Sequence, residues 1–129
     1  MDAGTPLKDD PTVPDYELLY RGIHPSQVME GNEVSSAAFK SKTNPHISVD
    51  LSSLSKPENT LAGRPSCAGV VELVTRTVRS ITPGVVRDPI DGNPAHALII
   101  HDFKLSGGQW NQVARKLAKA CVWVIAPRR

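Results

Sequence analysis

Two histidines occupy similar positions in two separated segments of the chain. Residues 44–48 read NPHIS and residues 93–96 read NPAH, so each histidine follows an Asn-Pro loop and begins an apolar run. A histidine at the start of a strand is held by a rigid element and reached from a loop, which suits it to acid–base catalysis. His46 and His96 are therefore candidate catalytic residues that would act as base and acid in phosphoester cleavage. Ser48, on the same side of its strand as His46, would donate a hydrogen bond to a phosphate oxygen.

The run His46-Ile47-Ser48-Val49 resembles the H-x-[S/T]-x element of two-histidine phosphoesterases. Enzymes of that family carry the element twice. The second segment of this chain departs from the pattern, because Leu98 stands where the family has serine or threonine. The resemblance therefore covers one copy of the element.

Three further polar residues flank the predicted strands. Arg21 lies beside Gly22, Arg87 lies at the entrance of a proline-rich loop, and Asn93 lies inside that loop. An arginine in such a position can hold phosphate or carboxylate through two parallel hydrogen bonds. We therefore take Arg21, Arg87 and Asn93 as candidate phosphate- or ligand-binding residues. The alternative for Arg87 is an ion pair with Asp88 that fixes the loop.

Side chains of metal-ligand type are also present, but their pattern does not predict a metal site. The residues concerned are His46, Asp50, His96, His101 and Asp102. Adjacent strand residues point to opposite faces, so His101 and Asp102 cannot easily share one ion. The chain also lacks a Walker A loop, G-x-G-x-x-G, H-E-x-x-H and G-x-S-x-G. We expect neither a metal nor a cofactor.

The elements that must position these residues are short. Residues 46–51 alternate between polar and apolar, which is typical of a half-buried strand. Further strands are predicted over 16–21, 36–39, 85–87, 96–100 and 122–125. A short helix is predicted to begin near residue 55, where S-x-x-E has the spacing of a capping box. Residues 67–81 fit strand or helix, and a strand over 69–73 followed by a helical turn is favoured.

The C-terminal part contains the main helix. Trp110, Val113, Leu117 and Cys121 form an apolar stripe at helical spacing, with polar residues on the other face. The sum predicts an α+β fold: a small mixed sheet of about five short strands, one main C-terminal amphipathic helix and one short helix. Residues 1–14 are proline-rich and acidic and are predicted to be disordered, with a single globular domain over 15–129.

Composition is that of an ordinary globular domain, with 129 residues, 40% hydrophobic and 22% charged. Residues 1–30 carry six acids and two bases, whereas residues 101–129 carry six bases and one acid. The N-terminus has no secretory signal and no apolar run spans a bilayer, so we expect a soluble cytoplasmic protein that does not bind membranes. Its two cysteines, Cys67 and Cys121, are expected to be reduced thiols.

Three functions are consistent with these observations. The first and favoured one is a non-catalytic binding or accessory module that acts through a protein partner. The second is a small metal-independent phosphoesterase, or a nucleotide- or RNA-directed enzyme, using His46 and His96. The third is a nucleic-acid binder working through the basic C-terminal helix and tail. It is not favoured, because aromatic residues make only 5% of the chain and would supply little stacking surface.

Overall fold

The computed structural model of the protein describes residues 7–40 and 44–128. One six-stranded sheet contains the strands β1 Leu18–Ile23, β2 Ile47–Leu51, β3 Gly69–Val74, β4 Val85–Arg87, β5 His96–Ile99 and β6 Val122–Ile125. The strand order is β4-β5-β2-β1-β3-β6, and all five pairings are antiparallel. The α-helices are α1 Pro57–Ala62, α2 Thr75–Ile81 and α3 Gly107–Ala120. Short 3₁₀ helices span Pro25–Gln27, Glu30–Asn32 and Ser36–Phe39.

The α+β class is confirmed, and so are the main C-terminal helix and the succession of a strand and a helix over residues 69–81. The sheet is antiparallel rather than mixed, and it has six strands rather than about five. At the centre of the sheet, β1 lies between β2 and β3 and runs antiparallel to both. No helix in the described part of the chain is long and apolar enough to cross a membrane.

The core lies between one face of the sheet and α3. Ile47, Val49 and Leu51 of β2 are buried on that face, as their alternation predicts. α3 contributes Trp110 and Leu117 to the same cluster. Each apolar side chain of this size stabilises the fold by about 1.5–3 kcal/mol when fully buried. Packing against α3 therefore determines which face of β2 points inward. Ser48 and Asp50, which alternate with these apolar residues, point to the other face of the sheet.

Two local elements differ from the prediction. Ser36–Phe39 is a 3₁₀ helix rather than a strand, because the Ser35 side chain accepts a hydrogen bond from Ala37 N and turns the chain. α1 begins at Pro57, and Ser55 does not cap it: its hydroxyl donates to Lys56 O instead. Phe39 is fully buried in the core, so the short 3₁₀ helix is held by packing as well as by its cap.

Residues 7–14 lie against the domain, although the sequence predicts disorder there. Val13 is fully buried, and Asp10 N donates to Val85 O at 2.8 Å. Arg79 of α2 also reaches this segment and donates to the carbonyl oxygen of Val13. The prediction missed these contacts because their partners lie about seventy residues further along the chain. Residues 1–6, which belong to the same prediction, lie outside the described residues.

Candidate functional site

The two candidate catalytic histidines lie at opposite ends of one pair of strands. Asp50 of β2 is opposite His96 of β5, whereas Ile47 is opposite Ile99. This register places His46 across from residue 100, four residues from His96 along the ladder. At a rise of about 3.3 Å per residue, the separation of their backbones is about 13 Å. His96 is the first residue of β5 and His46 directly precedes β2. Antiparallel strands begin at opposite ends, so the fold does not bring the two side chains together.

The repeated Asn-Pro pattern has a local structural role. His46 N donates to the Asn44 side-chain oxygen at 3.1 Å, and Ala95 N donates to the Asn93 side-chain oxygen at 3.2 Å. In both places an asparagine accepts from the N–H two residues later, which is an Asx turn. The similarity between the two segments is therefore explained by the same turn leading into a strand.

His46 belongs to a cluster of rings at the end of β5. Its Nδ1 accepts a hydrogen bond from His101 N at 3.0 Å. The His101 ring lies 4.3 Å from the Trp110 ring and 4.8 Å from the Phe103 ring, measured between centroids. Burial lowers the pKa of both His46 and His101 below the ordinary value. Burial thus disfavours the protonated form of both imidazoles, and the hydrogen bond from His101 N requires an unprotonated Nδ1 on His46.

His96 and Asn93 join a polar network on the face of the sheet opposite α3. His96 Nδ1 lies 2.9 Å from Asp88 O, and Asn93 Nδ2 donates to Asp50 Oδ1 at 2.8 Å. The other oxygen of Asp50 accepts from Thr60 of α1 at 2.7 Å. Buried polar groups require such partners, and these bonds attach α1 and the 88–96 loop to the sheet.

Of the remaining candidate residues, Arg21 and Ser48 are in contact, whereas Arg87 lies elsewhere. Ser48 contributes its carbonyl oxygen to a hydrogen bond from Arg21 Nη1 at 2.7 Å. Arg87 donates to the Thr12 hydroxyl and carbonyl oxygens, both at 2.9 Å, so it holds the N-terminal segment rather than Asp88. Arg21 and Ser48 both line a small pocket beside β2, and Arg21 also lines a larger cavity at the end of β1. Within residues 7–40 and 44–128, no cluster of three or more His, Cys, Asp or Glu side chains could hold a metal ion.

The two outer strands of the sheet differ in how they are covered. On β4, Val85 O accepts from Asp10 N at 2.8 Å, and Val85 N donates to Asp9 Oδ1 at 2.9 Å. The N–H and C=O of Val85 therefore have partners from the N-terminal segment. An outer strand covered in this way cannot pair with another chain at that position.

β6, at the opposite edge, has no such cover in the described part of the chain. Its residues pair with β3 on one side, and no hydrogen bond from another described element reaches their backbone. Val122 is 60% exposed and Val124 is 37% exposed. The strand carries no charged residue and no proline within 122–125. Charged residues and prolines are features by which soluble proteins commonly protect an edge strand. Among residues 7–40 and 44–128, β6 is therefore an apolar edge that no other element covers.

A groove of about 450 Å³ lies beside the start of β6. Its walls come from residues 32–34, from the end of α3 and from β6 itself, where Trp123 Nε1 donates to Asn32 O at 2.8 Å. The exposed face of α3 next to it is basic, through Arg115, Lys116 and Lys119.

No family model, curated protein or solved structure matches this chain. The sequence predicts the strand at 122–125, but it contains no local signal that this strand is an outer one, because strand order depends on pairing between distant segments.

Proposed function

We propose that the protein is a non-catalytic binding module that takes up an extended segment of a partner protein as a seventh strand beside β6. The observation that carries the proposal is the contrast between the two sheet edges. The β4 edge is covered by the N-terminal segment. On β6, the outer backbone groups have no partner among the described residues, and the side chains of Val122 and Val124 are exposed. Addition of a strand to an open edge is a recurrent mode of peptide recognition, in which main-chain hydrogen bonds supply affinity.

The surroundings of β6 indicate which segment would bind. Alternate side chains of an added strand point to the two faces of the sheet, so one set would contact the exposed valines and the groove beside Trp123. The basic face of α3 and Arg128, which follows the strand, favour acidic residues at the ends of the segment. The predicted ligand is an extended peptide with alternating apolar residues and acidic flanks.

The separation of His46 and His96 supports a binding module over the two-histidine enzyme. One substrate must reach the base and the acid together, within hydrogen-bond distance of the proton that each transfers. About 13 Å of strand lies between the two backbones, and each imidazole is engaged in a different local contact.

The test uses a display library of random ten-residue peptides, selected on the immobilised full chain. We expect the selected peptides to alternate apolar and polar residues and to slow amide hydrogen exchange at residues 122–125. The double variant Val122→Ala/Val124→Ala should weaken their binding about tenfold, because each substitution removes apolar area worth about 0.8 kcal/mol per buried methylene.

The matched control is Val74→Ala at the end of β3, where the valine is 39% exposed. This variant should bind the selected peptides as the parent chain does. Selected peptides that protect amides elsewhere, or bind the double variant and the parent equally, would contradict the proposal. Failure to select any peptide that protects residues 122–125 would contradict it as well.

A further inference from the structure

A second surface feature lies at the end of β1 and rests on residues separate from β6. A cavity of about 390 Å³ opens between β1, the 3₁₀ turn at 25–27 and the loop from α1 to β3. Its polar side chains come from Arg21, His24, Gln27, Arg64, Ser66 and Cys67. None of the residues that line it is an aspartate or a glutamate. The cavity is therefore lined by positive charge and by neutral polar groups.

Arg21 contributes a charge that has no carboxylate partner in the described chain. Its Nε donates to Ala38 O and its Nη1 donates to Ser48 O, both at 2.7 Å, and its guanidinium lies 5.8 Å from the Phe39 ring centroid. Burial, followed by repulsion from Arg64, lowers the pKa of Arg21 to about 10. The two carbonyl oxygens accept from two of the five guanidinium N–H donors but do not neutralise the charge. A partly buried cation without a counter-charge is costly.

Arg64 brings a second cation to the same cavity. Its backbone N–H donates to Leu61 O, and its carbonyl accepts from Cys67 N, so a turn fixes its position. Gly22 of β1 makes room for it: a Cβ there would lie 3.3 Å from Arg64 Cδ and 2.8 Å from Cys67 Sγ. The Arg64 side chain is exposed, and it forms no hydrogen bond or ion pair with another residue that the structure describes.

Two further donors complete the lining. Ser26 N donates to His24 Nδ1 at 3.1 Å, which leaves the proton of the neutral imidazole on Nε2. His24 N donates to Gln27 Oε1 at 3.0 Å, which leaves the amide NH₂ of Gln27 as a donor. Burial raises the pKa of the Cys67 thiol, so this side chain adds no negative charge at neutral pH.

We propose that this cavity is a phosphate-binding site, in which Arg21 and Arg64 hold the phosphate group of inorganic phosphate or of a phosphomonoester. Guanidinium groups match the geometry of phosphate oxygens and form strong charge-assisted hydrogen bonds with them. A bound phosphate supplies the counter-charge that Arg21 lacks and offsets its repulsion from Arg64. His24 and Gln27 would donate to the remaining oxygens.

The test titrates the full chain with inorganic phosphate, and separately with glycerol phosphate, against sodium chloride of the same ionic strength. Binding is followed by the thermal unfolding midpoint and by alkylation of Cys67 with N-ethylmaleimide in a Cys121→Ser background. We expect phosphate to raise the midpoint and to slow the alkylation of Cys67, which lines the cavity. Tighter binding of glycerol phosphate would identify an esterified group as the ligand, and binding of inorganic phosphate alone would identify the free ion.

Arg64→Gln should weaken phosphate binding by about tenfold or more, as expected for loss of a charged hydrogen-bond donor. Arg115→Gln, on the exposed face of α3, is the matched control and should leave the affinity unchanged. Equal weakening in both variants would show a non-specific charge effect and overturn the proposal. Equal effects of phosphate and chloride on the parent chain would overturn it too. Neither result depends on whether peptides bind to β6.

Discussion

Arg79 of α2 connects the N-terminal segment to the domain, and its replacement should release that segment. Its Nη2 donates to Asp10 O at 2.9 Å and to Val13 O at 2.7 Å. Its Nε and Nη1 form ion pairs with Asp9 at 3.0 Å and with Asp15 at 2.8 Å. The Asp15 side chain is 60% exposed, so that pair contributes little, whereas the Arg79 side chain is only 20% exposed.

The magnitude follows from these contacts. Hydrogen bonds that involve a charged group contribute about 1.5–3 kcal/mol each, and exposed ion pairs contribute about 0.2–1 kcal/mol. Because the segment is partly exposed, we take the lower end of both ranges for two carbonyl acceptors and two ion pairs. We therefore expect Arg79→Ala to lower the free energy of unfolding by about 3–4 kcal/mol. That loss is a large fraction of the stability of an ordinary domain, which is about 5–15 kcal/mol.

Urea unfolding followed by tryptophan fluorescence measures the loss, and limited proteolysis near Lys8 measures the release of the segment. Arg76→Ala is the matched control, because Arg76 is an exposed arginine on the same helix. It should change the stability by less than about 0.5 kcal/mol. An Arg79→Ala chain as stable and as protease-resistant as the Arg76→Ala chain would refute the assignment of Arg79 as the residue that holds the segment.

Three further predictions concern the core and the β6 edge. Burial lowers the pKa of His46 and His101, so these histidines take up protons in the unfolded chain before they do in the folded chain as the pH falls. The free energy of unfolding should therefore decrease below about pH 6.5, and it should decrease less in His46→Gln. Urea titrations at several pH values measure both effects. Gly69→Ala places a Cβ against the carbonyl oxygen of Ile125, so it should lower the free energy of unfolding by about 1–3 kcal/mol and speed amide exchange in β6. Gly107→Ala, where the new Cβ has no neighbour within 4 Å, should leave the free energy of unfolding unchanged. Leu117→Ala, at a fully buried position of α3, should lower the free energy of unfolding measured in urea by about 2–5 kcal/mol.

Local periodicity was sufficient to predict the elements that build the core. Ile47, Val49 and Leu51 alternate along β2, and Trp110 and Leu117 repeat at helical spacing along α3. In each case the apolar side of the element is the buried side, because packing the apolar face of the sheet against the apolar face of α3 is the largest favourable contribution to folding. These residues determine the α+β class before any long-range contact is known.

The positions of the candidate functional residues could not be predicted in the same way. Two residues that each begin a strand are neighbours only if their strands are parallel, and β2 and β5 are antiparallel. His46 and His96 are therefore separated by a feature of the pairing that neither local sequence contains. The same holds for Val13, whose carbonyl oxygen accepts from Arg79, and for Arg64, which the fold places in the same cavity as Arg21.

Amide hydrogen exchange along the two outer strands tests the central claim most directly. In the free chain we expect slow exchange at Val85, whose N–H is bound to Asp9 at 2.9 Å, and fast exchange at the outward-facing amides of residues 122–125. With a selected peptide present, those β6 amides should become slow while Val85 stays as it was. Protection of the β6 amides in the free chain, or no change on peptide binding, would contradict the account.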